Sequence, residues 1–469
     1  ITLNESFADY GEALWNEYKY GKDDGEATIY SNLRTYLGSP ENATIPLVHF
    51  HYADKDDVFD NVSYPKGGCI LNMLRNYVGD SAFFKSLHLY LTKHKFSNAE
   101  AQQLRLAFEE ITGEDLNWFF NEWYYGAGHP KLEINYDYVA SSKTEKVFIS
   151  QGQTGNVFKL PFAIDVYEGG NKKRYKVWMN DVADTFSFPA NTKPDLINVD
   201  GDKILVCEKD DNKTLDEFIY QYKHAGLYVD RREAINLASK FQTNPKALDL
   251  LKIALNDKSY RLREFTLGKL NLDNDTVKAA VEMIVKNLAA KDPKTIVRAG
   301  AIYLLGKYKK SEYKPIFVKA INDSSYSVAG NALEALDNID PTAAEAEAKK
   351  LSLLTAEGTL KEVLNGYIDE SKFDSVATAF GKLPIGNAKF NMLGSFGNFL
   401  SRVKNTENLK KGIDMIVNFR DSIPQQFRGN TDPFINETLK AIAEKKDAAA
   451  IKEQSDYIKS KLPANISGQ

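Results

Sequence analysis

The chain has 469 residues, 43% of them apolar and 26% charged, with a formal net charge of −4 from 60 basic and 64 acidic side chains. That length suits about three soluble domains. The near balance of charge excludes a basic field for nucleic acid, and with no run of about 18 apolar residues the chain carries no membrane-spanning helix. Its two cysteines, Cys69 and Cys207, are too few and too far apart for a disulfide framework or a cysteine zinc site. Each reads as a buried thiol.

Residues 1–129 read as helical. Leu3, Phe7, Tyr10 and Leu14 recur at helical spacing as one apolar stripe. Glu5, Asp9 and Glu12 form a separate acidic stripe, which spacing alone makes a solvated face. Ile70, Met73, Leu74 and Tyr77 mark a helix after Tyr64 that Gly79 stops. Pro65 suits the first turn of that helix and leaves Tyr64 at or just before its N-cap. Ser97 and Glu100 predict a capping box, with Ser97 as N-cap, for a helix burying Leu104, Ala107, Phe108 and Ile111. An aromatic-rich helix over Asp115 to Trp123 follows, and Gly126-Ala127-Gly128-His129-Pro130 breaks the region.

Residues 130–208 change to a period of two. Alternation around Leu132–Tyr136, Lys146–Ser150, Phe162–Val166, Tyr175–Met179, Thr185–Phe188 and Lys203–Val206 predicts a small antiparallel β-sandwich. No catalytic constellation lies within it. Residues 213–469 return to helix. Asp257, Asp292 and Asp323 stand five residues before Leu262, Val297 and Val328, and nine before Thr266, Ala301 and Ala332. The spacings are 35 and 31 residues, with an arginine six after the aspartate in the first two repeats (Arg263, Arg298) and Ala329 in the third. Such a pattern resembles a HEAT-like array of helical pairs, at a shorter period than is usual.

Two segments near the start carry chemistry. Leu3-Asn4-Glu5-Ser6-Phe7-Ala8-Asp9-Tyr10 and Phe59-Asp60-Asn61-Val62-Ser63-Tyr64-Pro65-Lys66-Gly67-Gly68 resemble, in order, two signatures of the M1 family of zinc aminopeptidases. The likeness continues through Met73-Leu74, Gly79-Asp80, Phe83 or Phe84, Tyr90, Trp123 and Gly128-His129-Pro130. It implies that Glu5 is the third zinc ligand of the parent enzyme and Tyr64 its catalytic tyrosine. There the phenol O–H meets the oxyanion that develops when metal-bound water attacks the peptide carbonyl. Ser6 departs from the family's usual glycine and Pro65 from a frequent acidic residue; Lys66 belongs to the motif without a chemical role of its own. The same likeness implies a mainly α multidomain fold. Residues 1–129 would be the helical half of a thermolysin-like (gluzincin) catalytic domain, 130–208 the β-sandwich, and 213–469 a HEAT/armadillo-like α-solenoid.

The family's His-Glu-x-x-His helix supplies two ligands and the general base. It is expected upstream of Glu5, as is the Gly-x-Met-x-Asn strand that holds the substrate's amino group. None of His49, His51, His88, His94, His129 and His224 belongs to such a motif. His49 and His51 share one face of an extended segment and leave open a two-histidine site with Glu5, although such pairs are more often surface or packing residues. The chain thus reads as the C-terminal portion of a peptide-cleaving zinc enzyme, binding no zinc and inactive alone. The alternative is a non-catalytic relative whose helical array binds proteins. A half-domain exposes the face it packs with, so self-association or lattice contacts are expected near residues 1–70, or disorder from Lys22 to Ala43. A signal peptide would lie upstream of Ile1, and the compartment is not set by these residues.

Overall fold

The computed structural model describes residues 1–462. It divides into two compact units, Ile1–Leu270 and Asn271–Gln469.

The first unit opens with six helices: α1 (Thr2–Tyr20), α2 (Lys22–Leu37), α3 (Gly67–Val78), α4 (Asp80–Lys93), α5 (Ala101–Thr112) and α6 (Asn117–Trp123). α1 does not bury the stripe its apolar residues suggest. Its fully buried positions are Thr2, Ser6, Tyr10 and Ala13, while Leu3, Phe7 and Leu14 are only partly covered. The reason is close approach to the start of α3. A Cβ on Gly67 would overlap Ser6 Oγ, and one on Gly68 would lie 2.5 Å from Asp9 Oδ2. Ser6 and Asp9 face the glycines, and Leu3, Phe7 and Leu14 are turned aside. Asp9 is consequently no solvated residue: Asn32 donates to it at 2.6 Å, and burial pushes its carboxyl up to about 6.

The stretch from Lys22 to Ala43, where disorder was an expected outcome, is α2 and a 3-10 turn (Pro40–Thr44). α2 is held because Gly25 lets it close on α1: a Cβ there would lie 2.7 Å from Glu17 Cβ. The capping box is also displaced from its predicted place. Glu100, not Ser97, precedes α5, its amide donating to Gln103 Oε1 at 2.8 Å, while Ser97 Oγ donates to the His94 carbonyl.

Seven strands follow: β1 (Lys131–Val139), β2 (Thr144–Gln151), β3 (Leu160–Glu168), β4 (Asn171–Met179), β5 (Ala183–Pro189), β6 (Leu196–Val199) and β7 (Glu208–Asp211). They form two sheets, ordered β5-β2-β1-β7 and β4-β3-β6. All pairs are antiparallel except β1 with β7, which is parallel and corrects a purely antiparallel reading. Lys203–Val206 is not a strand either. The amides of Ile204 and Leu205 donate to the Asp200 carboxylate at 3.1 Å, so they are taken locally rather than by a neighbouring strand. The unit ends with α7 (Leu215–His224), α8 (Tyr228–Ala238), α9 (Pro245–Ala254) and α10 (Tyr260–Lys269).

The second unit is helical: α11 (Asp275–Lys291), α12 (Thr295–Gly306), α13 (Lys314–Ala320), α14 (Tyr326–Asp337), α15 (Pro341–Ala348), α16 (Gly358–Asn365), α17 (Phe373–Lys382), α18 (Asn387–Arg402), α19 (Thr406–Ser422), α20 (Gln425–Ala448) and α21 (Lys452–Ser460). The repeated aspartates have one local job. Asp257, Asp292 and Asp323 each accept from the amide two residues on, at 2.8, 2.9 and 2.9 Å, just before α10, α12 and α14. The repeated arginines return to the same turns: Arg263 and Arg298 donate to the carbonyls of Asp257 and Asp292 at 2.8 and 2.9 Å. Arg298 also reaches Asp323 at 2.7 Å, tying one helical pair to the next. Among the described residues no helix is long and apolar enough to cross a membrane.

Gly67→Ala is expected to destabilise the chain by about 1–3 kcal/mol through overpacking, and by less in a Ser6→Gly background. Urea unfolding of the four-variant cycle checks it; strictly additive effects would refute the contact.

Candidate active site

Asp60 starts the site. Its Oδ1 accepts from the amides of Val62 and Ser63 at 3.0 and 2.6 Å, which caps the turn that follows. That turn, Val62–Lys66, is a π-helical turn leading into α3. Pro65 explains it: proline has no N–H for the Asn61 carbonyl, and the Lys66 amide takes that carbonyl instead at 3.2 Å. Tyr64 therefore lies inside the turn, not at a helix N-cap, and Asp60 holds the capping role. An aspartate two and three residues before the capped amides is a readable signal, and sequence reasoning had passed over it.

The turn rests on α1 through Ser6, whose Oγ donates to the Ser63 carbonyl at 2.7 Å. One residue either side, the two predicted site residues come together. Glu5 and Tyr64 are both half-buried, and Tyr64 lies within reach of the Glu5 carboxylate. Desolvation, then hydrogen bonding and charge from Glu5, hold its phenol above the ordinary tyrosine value. At neutral pH Tyr64 is thus an O–H donor. Phe59 lies beside it, ring centroids 6.2 Å apart.

Behind the turn, Lys66 is fully buried, and its Nζ has no hydrogen-bond partner among the described residues. Its nearest compensation is the Tyr36 ring, 5.3 Å from the ammonium. Burial pulls its pKa down to about 8. Tyr36 continues into a polar chain. His129 Nε2 lies 3.0 Å from Glu208 Oε1, and His129 Nδ1 lies 3.0 Å from the Tyr36 hydroxyl. With Nε2–H donating to the carboxylate, Nδ1 accepts from tyrosine. This cluster joins α2, the breaker after α6 and β7; Tyr36 and Glu208 belong to no motif, and His129 entered only within Gly128-His129-Pro130.

Among the described residues no three His, Cys, Asp or Glu side chains converge to hold a metal ion. His49 and His51 do not complete a group with Glu5; the His49 ring donates to the Pro46 carbonyl at 3.1 Å. Glu5 is one carboxylate donor, so the residues present do not by themselves fit a catalytic zinc.

With this geometry in place, known proteins can be compared. Residues 1–123 match the model of the peptidase family M1 domain. "Probable aminopeptidase 2" of Sulfurisphaera tokodaii is 24% identical over 393 residues, 81% of this chain and 48% of that protein. "Tricorn protease-interacting factor F2" of Thermoplasma volcanium is 35% identical over 174 residues, 36% of this chain and 22% of that one. Among solved structures, aminopeptidase A of Legionella pneumophila, crystallised with aspartic acid, shares the fold. Its TM-score is 0.58 at 13% identity, over 98% of this chain and 63% of that one. The likeness to peptidase family M1 thus rests on the first 123 residues of the chain. It spans about half the length, or less, of these curated relatives.

The buried amine sets a pH dependence. Lys66 binds its proton less tightly folded (about 8) than unfolded (10.5), so its destabilising effect is full below pH 8 and fades as pH rises towards 10.5. Lys66→Met is therefore expected to stabilise the chain by on the order of 2 kcal/mol at pH 7 and by less at pH 9.5. Urea unfolding of both proteins at the two pH values checks the sign.

Proposed function

We propose that this chain is the C-terminal portion of a zinc-dependent aminopeptidase that removes N-terminal residues from peptides. The observation that carries the reading is the pairing of Tyr64 with Glu5 where α1 meets the turn before α3. The family match over residues 1–123 and the aminopeptidase names of relatives support it.

Tyr64 is the proposed catalytic residue. Its phenol, kept protonated, donates to the oxygen that becomes negative as the scissile carbonyl turns tetrahedral, without placing a charge there beforehand. Glu5 is the proposed metal ligand. The other donors of a three-ligand site, and a general base, must come from outside the described residues, so the chain alone is proposed to be incompetent in hydrolysis. Residues 1–129 would be the site-bearing half-domain, 130–208 a packing domain, and 213–469 a HEAT-like array. Peptides are the proposed substrates.

Pure 469-residue chain is expected to carry no stoichiometric zinc by elemental analysis and to leave aminoacyl-arylamides uncleaved. One zinc per chain together with activity would refute the division of labour. In a longer protein that includes this chain, Tyr64→Phe is expected to lower kcat by about 10²–10³ with KM and zinc content retained. Unchanged kcat would remove Tyr64 from the chemistry.

A further inference from the structure

The first unit holds a cavity of about 920 Å³ between α1, α2, α3, the segment leading into β7, α8 and α10. Small-molecule sites run from roughly 300 to 1,000 Å³, so this space has the size of one. Its charge is unevenly answered. Of the carboxylates on its wall, Glu17 and Asp80 are taken by Arg75. Glu26 accepts from the Tyr228 amide, and Glu233 from Lys209. Asp200 accepts from two amides, and Asp202 is paired with Arg174. Asp211 is paired with Lys213, and Glu208 with His129 and Lys131. Among the described residues, Asp210, exposed on β7, is the one left over.

The cations divide differently. Four of them, Arg34, Arg232, Lys240 and Lys269, have no carboxylate partner among the described residues. Arg232 and Lys240 stand two helical turns apart, with Asn236 between them, on the cavity-facing side of α8 and the turn that extends it. The Arg232 guanidinium is held between aromatic rings, 3.7 Å from the Phe265 centroid and 4.9 Å from that of Tyr30. Its Nε is buried without a hydrogen-bond partner among the described residues. Lys269 Nζ lies 5.2 Å from the same Phe265 ring, which brings it to the neighbourhood of Arg232. A guanidinium packed against rings has little orientational freedom left to lose; its Nη1 already donates to the Tyr228 hydroxyl at 3.3 Å, which leaves Nη2 to meet a carboxylate or phosphate oxygen. Ile29, Leu33 and Leu237 supply an apolar wall.

We infer that this cavity is a binding site for a small polyvalent anion, a di- or tricarboxylate or a phosphate, received by Arg232 with Lys240, Lys269 and Arg34. The inference does not depend on the peptidase reading, because it concerns binding alone.

Isothermal titration of the full chain with citrate in one arm and inorganic phosphate in the other, at constant ionic strength, tests it. Saturable binding with Kd below about 1 mM is expected in at least one arm. It should weaken about tenfold or more both in Arg232→Gln and in Lys240→Gln/Lys269→Gln. Binding of citrate alone assigns a polycarboxylate, and binding of phosphate alone a phosphate. Should Arg232→Gln fail to fold by circular dichroism, the lysine pair, which carries little packing, decides. No saturable binding of either probe, or equal binding by the folded variants, overturns the proposal.

Discussion

The contact between α1 and the start of α3 is the constraint from which the proposed site follows. Two helices can meet this closely only if one presents bare backbone and the other a small side chain. Gly67 and Gly68 supply the first, and Ser6 the second. Ser6 then does more than fit, since its hydroxyl fastens the Ser63 carbonyl and so the turn carrying Tyr64. Glu5 and Tyr64, the immediate neighbours of those two serines, are brought together by a contact that neither of them makes. Ser6 in place of the family's glycine is accommodated by pointing its oxygen at the turn.

Backbone chemistry gives the turn its unusual form. Proline withholds one amide, the hydrogen-bond ladder slips by one residue, and an aspartate closes the start. The lysine that follows is buried with no partner among the described residues but an aromatic face, and its burial opposes stability. The second unit spends its charged groups otherwise: Asp292 and Asp323 each organise the turn before a helix, and Arg298 returns to the turn at Asp292.

What the sequence made legible divides along physical lines. Tyr64 and Glu5 were picked out by motif, and the fold places them near one another where α1 meets the turn before α3. The repeat could be found because turn capping needs an oxygen at one position. The stripe on α1 misled because apolar periodicity reports what can be buried, whereas close approach selects for smallness, and Thr2 and Ser6 carry no apolar signal. Lys203–Val206 misled because alternation was read without the carboxylate at Asp200 that captures its amides. The parallel β1–β7 pair and the cluster of Tyr36, His129 and Glu208 depend on where distant segments meet, and local pattern holds no record of that.

The helical pairs of the second unit differ in how they are joined. Arg298 strapped to Asp323 is an electrostatic joint between groups that keep some contact with solvent. Where Ala329 replaces the arginine, the next junction is made by volume: a Cβ on Gly330 would lie 2.6 Å from the backbone of Thr359 and Leu360. One joint therefore loosens as salt screens charge, and the other is indifferent to ionic strength but intolerant of a single methyl group. The array has two kinds of seam, and each yields to a different change of solvent or sequence.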